Sequence, residues 1–274
     1  MSDIAPPLVP SAEVVRRVLL AESHYTRSRL TVLRDLPGNP VRVEVRDLGD
    51  GALAMRARFI PNVHFNRVTG LGEAHVSDVG RLTAWYRDIG IRGAFDVIPG
   101  FTPDGVTAAL RAEGFSHHRF HTNLCARPAR APATAPGVTA ETVDAATLDE
   151  FLDCHCRGWG VGDPEGFKAN VRGWLNAPGW NLYLGRHYDQ PAGTAILYEH
   201  QGTGYCADSA CDPAFRGRGV HAALLHRRLE DAGELGCDLV CSGADFLSTS
   251  QRNMIRAGFT TLHTKSIWTL GGAW

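Results

Sequence analysis

Two rhythms of apolar positions alternate along the chain. Residues Ser11 to Leu33 repeat at helical spacing, whereas "VRVEVRDLGDGALAMRARFI" alternates every second position around a Gly-Asp-Gly turn and predicts a β-hairpin. There follow "NVHFNRVTGLG", a helix near Val79 to Asp88, the strand "AFDVI", a helix near Val106 to Glu113 and the strand "FSHHRFHTNLCA". Further on, "GVTAETV" predicts a strand, "DAATLDEFLDCHCRGW" a helix opened by Asp144, and "PEGFKANVRGWLN" a helix with proline in its first turn. "WNLYLGRHY" and "PAGTAILYEHQGTGYCADSAC" predict three antiparallel strands, the last two joined at Gly202 to Gly204. A glycine turn then leads to a helix over Val220 to Leu235, the strand "CDLVCSGA", the helix "TSQRNMIRAG" and a closing strand around "TLHTKSIWTL".

One segment breaks the pattern. "ARPARAPATAPG", rich in Ala, Pro and Arg, disfavours helix and strand alike and predicts a semi-extended connector. It divides the chain into residues 1–125, a linker 126–136 and residues 137–274. Both halves run strands, turn, helix, strand, helix, strand, which is a repeat of architecture and not of sequence.

Composition narrows the classes. The 274 residues are 44% hydrophobic and carry a formal charge of −1, so a sizeable core is available and nothing calls for DNA or an anionic membrane. Seven cysteines, an odd number set mostly in apolar runs, predict buried thiols. "CHC" around His155 has no second cluster at finger-like spacing, so no metal is expected. With no membrane-length apolar run and no secretory leader pattern, the chain reads as soluble and cytoplasmic.

The most informative stretch is "ACDPAFRGRGVHAALLHRRLEDAGELGCDLVCSGA". At a strand-to-helix junction the first helical N–H groups lack partners, and glycines let an anion approach, so the turn predicts a phosphate cradle. Arg216 and Arg218 add charge beside Gly217 and Gly219. The helix behind keeps Leu225, Leu229 and Ala232 on one side, with Val220 and Leu224 adjacent. No GxGxxG and no Gly-Lys-Ser/Thr is present, which excludes Rossmann and P-loop readings.

These residues resemble the first motif of the GNAT superfamily of acyl-CoA N-acyltransferases, Arg/Gln-x-x-Gly-x-Gly/Ala, with Arg216 and Gly219 matching and His221 in place of the final small residue. "SQRNMIRAGF", Ser250 to Phe259, resembles the superfamily's second motif. Together the resemblance covers Gly137 to Leu270. It implies an α/β (α+β) fold of two tandem GNAT-like domains, each with a mixed, largely antiparallel central sheet flanked by helices. It further implies acetyl-CoA or another acyl-CoA held by Arg216, Gly217, Arg218, Gly219, Val220 and His221. The backbone of Ser209, Ala210 and Cys211 would pair with the pantetheine arm between two splayed strands.

In the first half, "RVTGLG" (Arg67 to Gly72) fits the same motif literally, but "EAHVSD" delays the helix behind it. It is either a second acyl-CoA site or a tight turn in a decayed copy, and the delay favours the turn. "AEGF" at Ala112 to Phe115 echoes "RAGF" at Arg256 to Phe259.

The fold implies direct acyl transfer to an amine. Many relatives use a tyrosine four residues before the Gly of Gly-Phe as general acid, and here that position is Met254. Asp208 is the candidate base, or else a bonded strand residue, with Ser209 beside it as the second candidate catalytic residue. Ser242 and His221 are further polar candidates, each with a structural alternative. Glu199 and His200 read as hairpin-end groups, and Trp159, Trp174 and Trp180 as core or as walls of an apolar pocket. The expected partner is a small-molecule amine. Two alternatives stand: a Fem-type transferase using aminoacyl-tRNA, to which Arg111, Arg119, Arg127 and Arg130 would give a basic surface, and an acyl-CoA sensor without turnover.

Overall fold

Ser11 accepts a hydrogen bond from the Val14 amide and opens α1 (Ala12–Arg34), the longest helix of the computed structural model, which describes residues 8–162 and 164–271. The first half continues with β1 (Val43–Gly49), β2 (Ala52–Ala57), β3 (Arg67–Thr69), α2 (Asp78–Arg87), β4 (Ala94–Val97), α3 (Asp104–Ala112) and β5 (Phe115–Ala126). The second comprises β6 (Val138–Thr142), α4 (Leu148–Trp159), α5 (Pro164–Arg172), β7 (Trp180–His187), β8 (Gln190–His200), β9 (Thr203–Cys211), α6 (Val220–Glu234), β10 (Leu239–Asp245), α7 (Thr249–Arg256) and β11 (Thr260–Leu270). Helix α4 starts later than its sequence suggests. The Asp144 carboxylate accepts the amides of Ala146 and Thr147 and the Thr147 hydroxyl, closing a separate turn before Leu148.

Among the described residues, eleven strands lie in one mixed sheet, in the order β1-β2-β3-β4-β11-β5-β10-β9-β8-β7-β6. Neighbours run antiparallel except β3 with β4 and β9 with β10. The order shows how the halves join. The first half's last strand, β5, hydrogen-bonds to β10, while the chain's last strand, β11, sits between β4 and β5. Each half's closing strand is thus seated against the other half, and the two sheets are continuous.

Helices α1, α4 and α5 cover one face of this sheet, and α2, α3, α6 and α7 the other. Helix α1 bridges the halves. Its Val15, Val18, Ala21 and Tyr25 pack with Trp180, Leu182, Tyr205 and Leu239, and its Leu30 and Leu33 with Val43, Leu53 and Met55. A fully buried aliphatic side chain contributes about 1.5–3 kcal/mol, so the helix ties both halves to one core.

Beneath α1 the seam is polar. Lys265 Nζ of β11 donates to Glu22 of α1 at 2.6 Å and lies 3.0 Å from Asp96 of β4. Arg67 of β3 reaches Glu22 at 3.1 Å and Asp96 at 3.5 Å, and Asn123 of β5 donates to Glu22 at 3.1 Å. All five are buried. Burial alone would raise the Glu22 carboxyl, but Lys265 and Arg67 together hold it well below the usual carboxylate range.

Candidate functional site

Strand β9 pairs with β8 over its length but with β10 only as far as Cys206, opposite Ser242. Beyond that point the two parallel strands part. The register of β8 and β9 slips there from Thr194↔Ala210 to Ile196↔Ala207, so Asp208 and Ser209 form a bulge opposite Ala195. Asp208 takes a φ of +40°, a conformation costing about 1–3 kcal/mol outside glycine, so neighbours must hold it. The Tyr25 hydroxyl donates to Asp208, and the Arg29 guanidinium stands 4.0 Å away. From the opposite face the buried Arg228 of α6 donates to Ile196 O at 3.0 Å and Ala207 O at 3.4 Å, the carbonyls flanking the bulge.

Past the bulge, Ala210 is buried and Cys211 half-buried on a strand edge that β10 no longer covers. The Asp212 carboxylate accepts the Ala214 amide at 3.0 Å and pairs with Arg157 at 2.6 Å, fixing a short 3₁₀ turn at Pro213–Phe215. Gly217 and Gly219 then adopt φ of +78° and +87°, a left-handed conformation natural to glycine, and α6 begins at Val220. The first α6 bond runs from Ala223 N to Gly219 O, and the amides of Gly217 to Ala222 meet no acceptor among the described residues. Arg216, Gly217, Arg218 and Gly219 are exposed, and the Val220 side chain is buried. His221 lies half-buried with its Nδ1 3.4 Å from Asn253 Nδ2 of α7. Burial, then Arg228, pushes its imidazole down to about 4 and leaves it neutral. The run from Asp208 to His221 therefore forms one rim, from the bulge along a free strand edge to a row of free amides.

On the α1 face the parted strands open toward side chains from the first half. Arg29 donates to the His64 carbonyl at 2.9 Å, and Arg119 lies with Nη2 3.5 Å from His64 Nε2 and Nη1 3.9 Å from Asp245 at the end of β10. His121 of β5 leans across Gly243 of β10, where a Cβ would overlap its ring. Burial followed by Arg67, Arg29 and Arg119 pushes His64 down to about 3. Burial followed by Lys265 does the same to His121.

The sequence patterns marked none of Tyr25, Arg29, His64, His121 or Arg228 as a site residue, and named Arg119 only as part of a basic surface for tRNA. Only Arg228 carried a local signal, since it falls between Leu224, Leu225 and Ala232 within the apolar stripe of α6.

The other candidates are placed as follows. The Ser242 hydroxyl donates to Cys206 O at 2.7 Å within the sheet, and Met254 is buried in the core under α6. Trp174 and Trp180 stack at 4.8 Å in the core, whereas Trp159 is exposed. His155 is buried with its Nδ1 2.7 Å from the Thr194 hydroxyl. Glu199 accepts the Gly202 amide at the hairpin end and His200 stacks on His24. Arg111 lies over Trp268 on the α3 face, across the sheet from Arg119. All seven cysteines are free, and among the described residues no cluster of three His, Cys, Asp or Glu is arranged to hold a metal. No helix among them is long and apolar enough to cross a membrane.

The first half has its own parted strands, β3 and β4, with a cavity of about 300 Å³ beside Gly70, Leu71 and Gly72. Here the Gly72 amide donates to His75 Nδ1 at 3.0 Å, and a 3₁₀ turn, not a helix, follows.

Residues 147–259 match the model of the acetyltransferase (GNAT) family. The chain is similar in structure to a GCN5-related N-acetyltransferase from Kribbella flavida, with a TM-score of 0.64, 15% identity, and 92% of this chain and 96% of that one covered. It is also similar to a tandem GNAT protein from the clavulanic acid biosynthesis pathway (TM-score 0.62, 15% identity, 98% of each chain). A GCN5-related N-acetyltransferase from Sphaerobacter thermophilus gives a TM-score of 0.57 at 17% identity, over 97% of this chain and 94% of that one. At these identities the likeness speaks for the fold. No curated protein matches the sequence.

Proposed function

We propose, from the premise that residues 147–259 belong to the GNAT acetyltransferase family, that the second half transfers an acyl group, in the simplest case acetyl, from acyl-CoA to a small-molecule amine. One observation carries the reading. A row of unpartnered amides at the start of α6 continues a strand edge left free by the parting of β9 and β10. An elongated thioester with a pyrophosphate at one end uses both features, the helix N-terminus for its anion and the strand edge for its amide-bearing arm.

In this reading the amides from Gly217 to His221, with Arg216 and Arg218, hold the pyrophosphate, and Ala210 and Cys211 pair with the pantetheine. Acyl-CoA supplies the activated acyl group. The chain's own part is to position the amine, exclude competing geometries and manage protons. Asp208, held by Tyr25 and Arg29 in the bulge, receives the amine N–H groups at the mouth, and Ser209 stands beside it as the second polar group. Met254, sealed in the core, has no proton to return to sulfur, which leaves that step to water at the open rim. The first half supplies α1, β5 and the seam; its own loop spends an amide on His75. Seven free thiols suit a reducing compartment such as the cytoplasm.

Thiol release from acetyl-CoA, followed across a panel of small amines, tests the reading. Turnover with at least one amine is expected, with kcat/KM falling at least about tenfold in Arg218→Glu through lost phosphate contact. Acetyl-CoA binding without thiol release for any amine would instead favour a sensor. Activity dependent on charged tRNA would favour the aminoacyl donor.

A further inference from the structure

The mouth of the parted strands holds buried donors that have no acceptor. Arg29 Nε and Arg119 Nε are each buried without a hydrogen-bond partner, as are Arg67 Nε deeper in the seam and His121 Nδ1, a ring nitrogen that donates or accepts according to its tautomer. A guanidinium Nε–H has no other role than to donate. Leaving such a group unsatisfied costs about 1–3 kcal/mol, so its persistence in a folded chain asks for a partner from outside.

These groups belong to one place. Arg29 and Arg119 both touch His64, one at its carbonyl (2.9 Å) and the other at its ring (3.5 Å). His121 lies across Gly243 in the same opening. Nearby carboxylates do not satisfy them. Asp208 and Asp245 stand at 4.0 and 3.9 Å from Arg29 and Arg119, outside hydrogen-bond reach, and Glu22 and Asp96 are engaged by Lys265 and Arg67 deeper in the seam. Two unpartnered acceptors also lie in that seam, Asn123 Oδ1 on the residue that donates to Glu22 and Asp96 Oδ1 on the carboxylate whose other oxygen faces Lys265 and Arg67. The surroundings are electropositive as well: burial and the charges of Arg67, Arg29 and Arg119 keep His64 neutral.

We propose that this mouth binds a carboxylate, and that the acceptor is accordingly an amine bearing a carboxylate close to its nitrogen, as in a small amino acid. Arg29 and Arg119 take the carboxylate oxygens, and the amine lies on the Asp208 side, next to the strand edge where acyl-CoA is placed. The short separation of Asp208 from Arg29 is what a zwitterion of one or two intervening carbons spans. This assignment rests on the transferase reading above, and it makes the first half part of the acceptor site.

The test follows the imidazole ¹⁵N resonances of His64 and His121 in the full chain during titration with sodium acetate, with sodium chloride at matched ionic strength and with neutral acetamide of similar shape. Saturable shifts of both histidines in acetate alone are expected. Arg29→Met with Arg119→Met should weaken the binding at least about tenfold, as loss of charge-assisted bonds does. Equal shifts in chloride or acetamide, or none, would overturn the proposal with wild-type protein alone and would mean that water satisfies these donors. Calorimetry with acetyl-CoA separates the two readings. Acetyl-CoA binding without acetate binding overturns the carboxylate site and leaves the transferase standing. Acetate binding without acetyl-CoA binding removes the acceptor role.

Discussion

Individual residues in this chain are held by partners distant in sequence. Asp208 was legible as a polar residue before a glycine turn, but its bulge was not, because the strand-like run "CADSAC" gives no sign of a slipped register. Tyr25 and Arg29, which hold it, lie about 180 residues earlier, on a helix whose own periodicity says only that it is amphipathic. His155 illustrates the opposite case, a histidine whose local pattern already favoured core. Burial pushes it from 6.5 down to about 4, so the folded chain binds its proton more weakly than the unfolded chain does. Its contribution is complete above pH 6.5 and is lost as pH falls through the window toward 4, amounting to about 2 kcal/mol by pH 5. Denaturant melts at pH 7.5 and 5 should therefore show a smaller loss in His155→Gln than in wild type by that margin. Equal losses would contradict the assignment.

Among the elements, the helices and strands followed the apolar rhythm closely, including the twelve-residue β5 and the hairpin around Gly49 to Gly51. What the rhythm does not contain is the coupling between elements. Helix α6 was read as apolar on one side and polar on the other, yet Arg228 turns inward and satisfies three carbonyls, of Leu224, Ile196 and Ala207. A charge buried this way is costly to orphan, and the carbonyls are equally costly to leave unmet. Arg228→Met is expected to destabilise the protein by about 2–4 kcal/mol and to weaken acetyl-CoA binding as the bulge relaxes. Calorimetric unfolding and titration of the same sample check both. Lost stability with unchanged acetyl-CoA affinity would show that the bulge does not shape the site.

At the scale of the molecule, architectural repetition was legible and the exchange of closing strands was not. Both β5 and β11 look like ordinary final strands, and nothing in their alternation says that each pairs across the seam. Non-local pairing is set by tertiary register, which single-strand patterns do not record. The buried Glu22, Arg67, Asp96 and Lys265 cluster follows from that exchange, because Lys265 reaches Asp96 only with β11 beside β4. Residues 1–130 and 131–274, expressed separately, should each be insoluble or unfolded through exposed strand edges, and co-expression should recover a stable one-to-one complex on gel filtration. A soluble, cooperatively unfolding 131–274 fragment would show that the seam is dispensable.

The central claim is that a single acyl-CoA site lies on the rim from Asp208 to His221. Calorimetric titration of the whole chain with acetyl-CoA tests it most directly. One molecule should bind per chain, with binding abolished or greatly weakened in Arg218→Glu and preserved when Gly72 is replaced by alanine. Two equivalent sites, or binding that survives Arg218→Glu and is lost in Gly72→Ala, would contradict it.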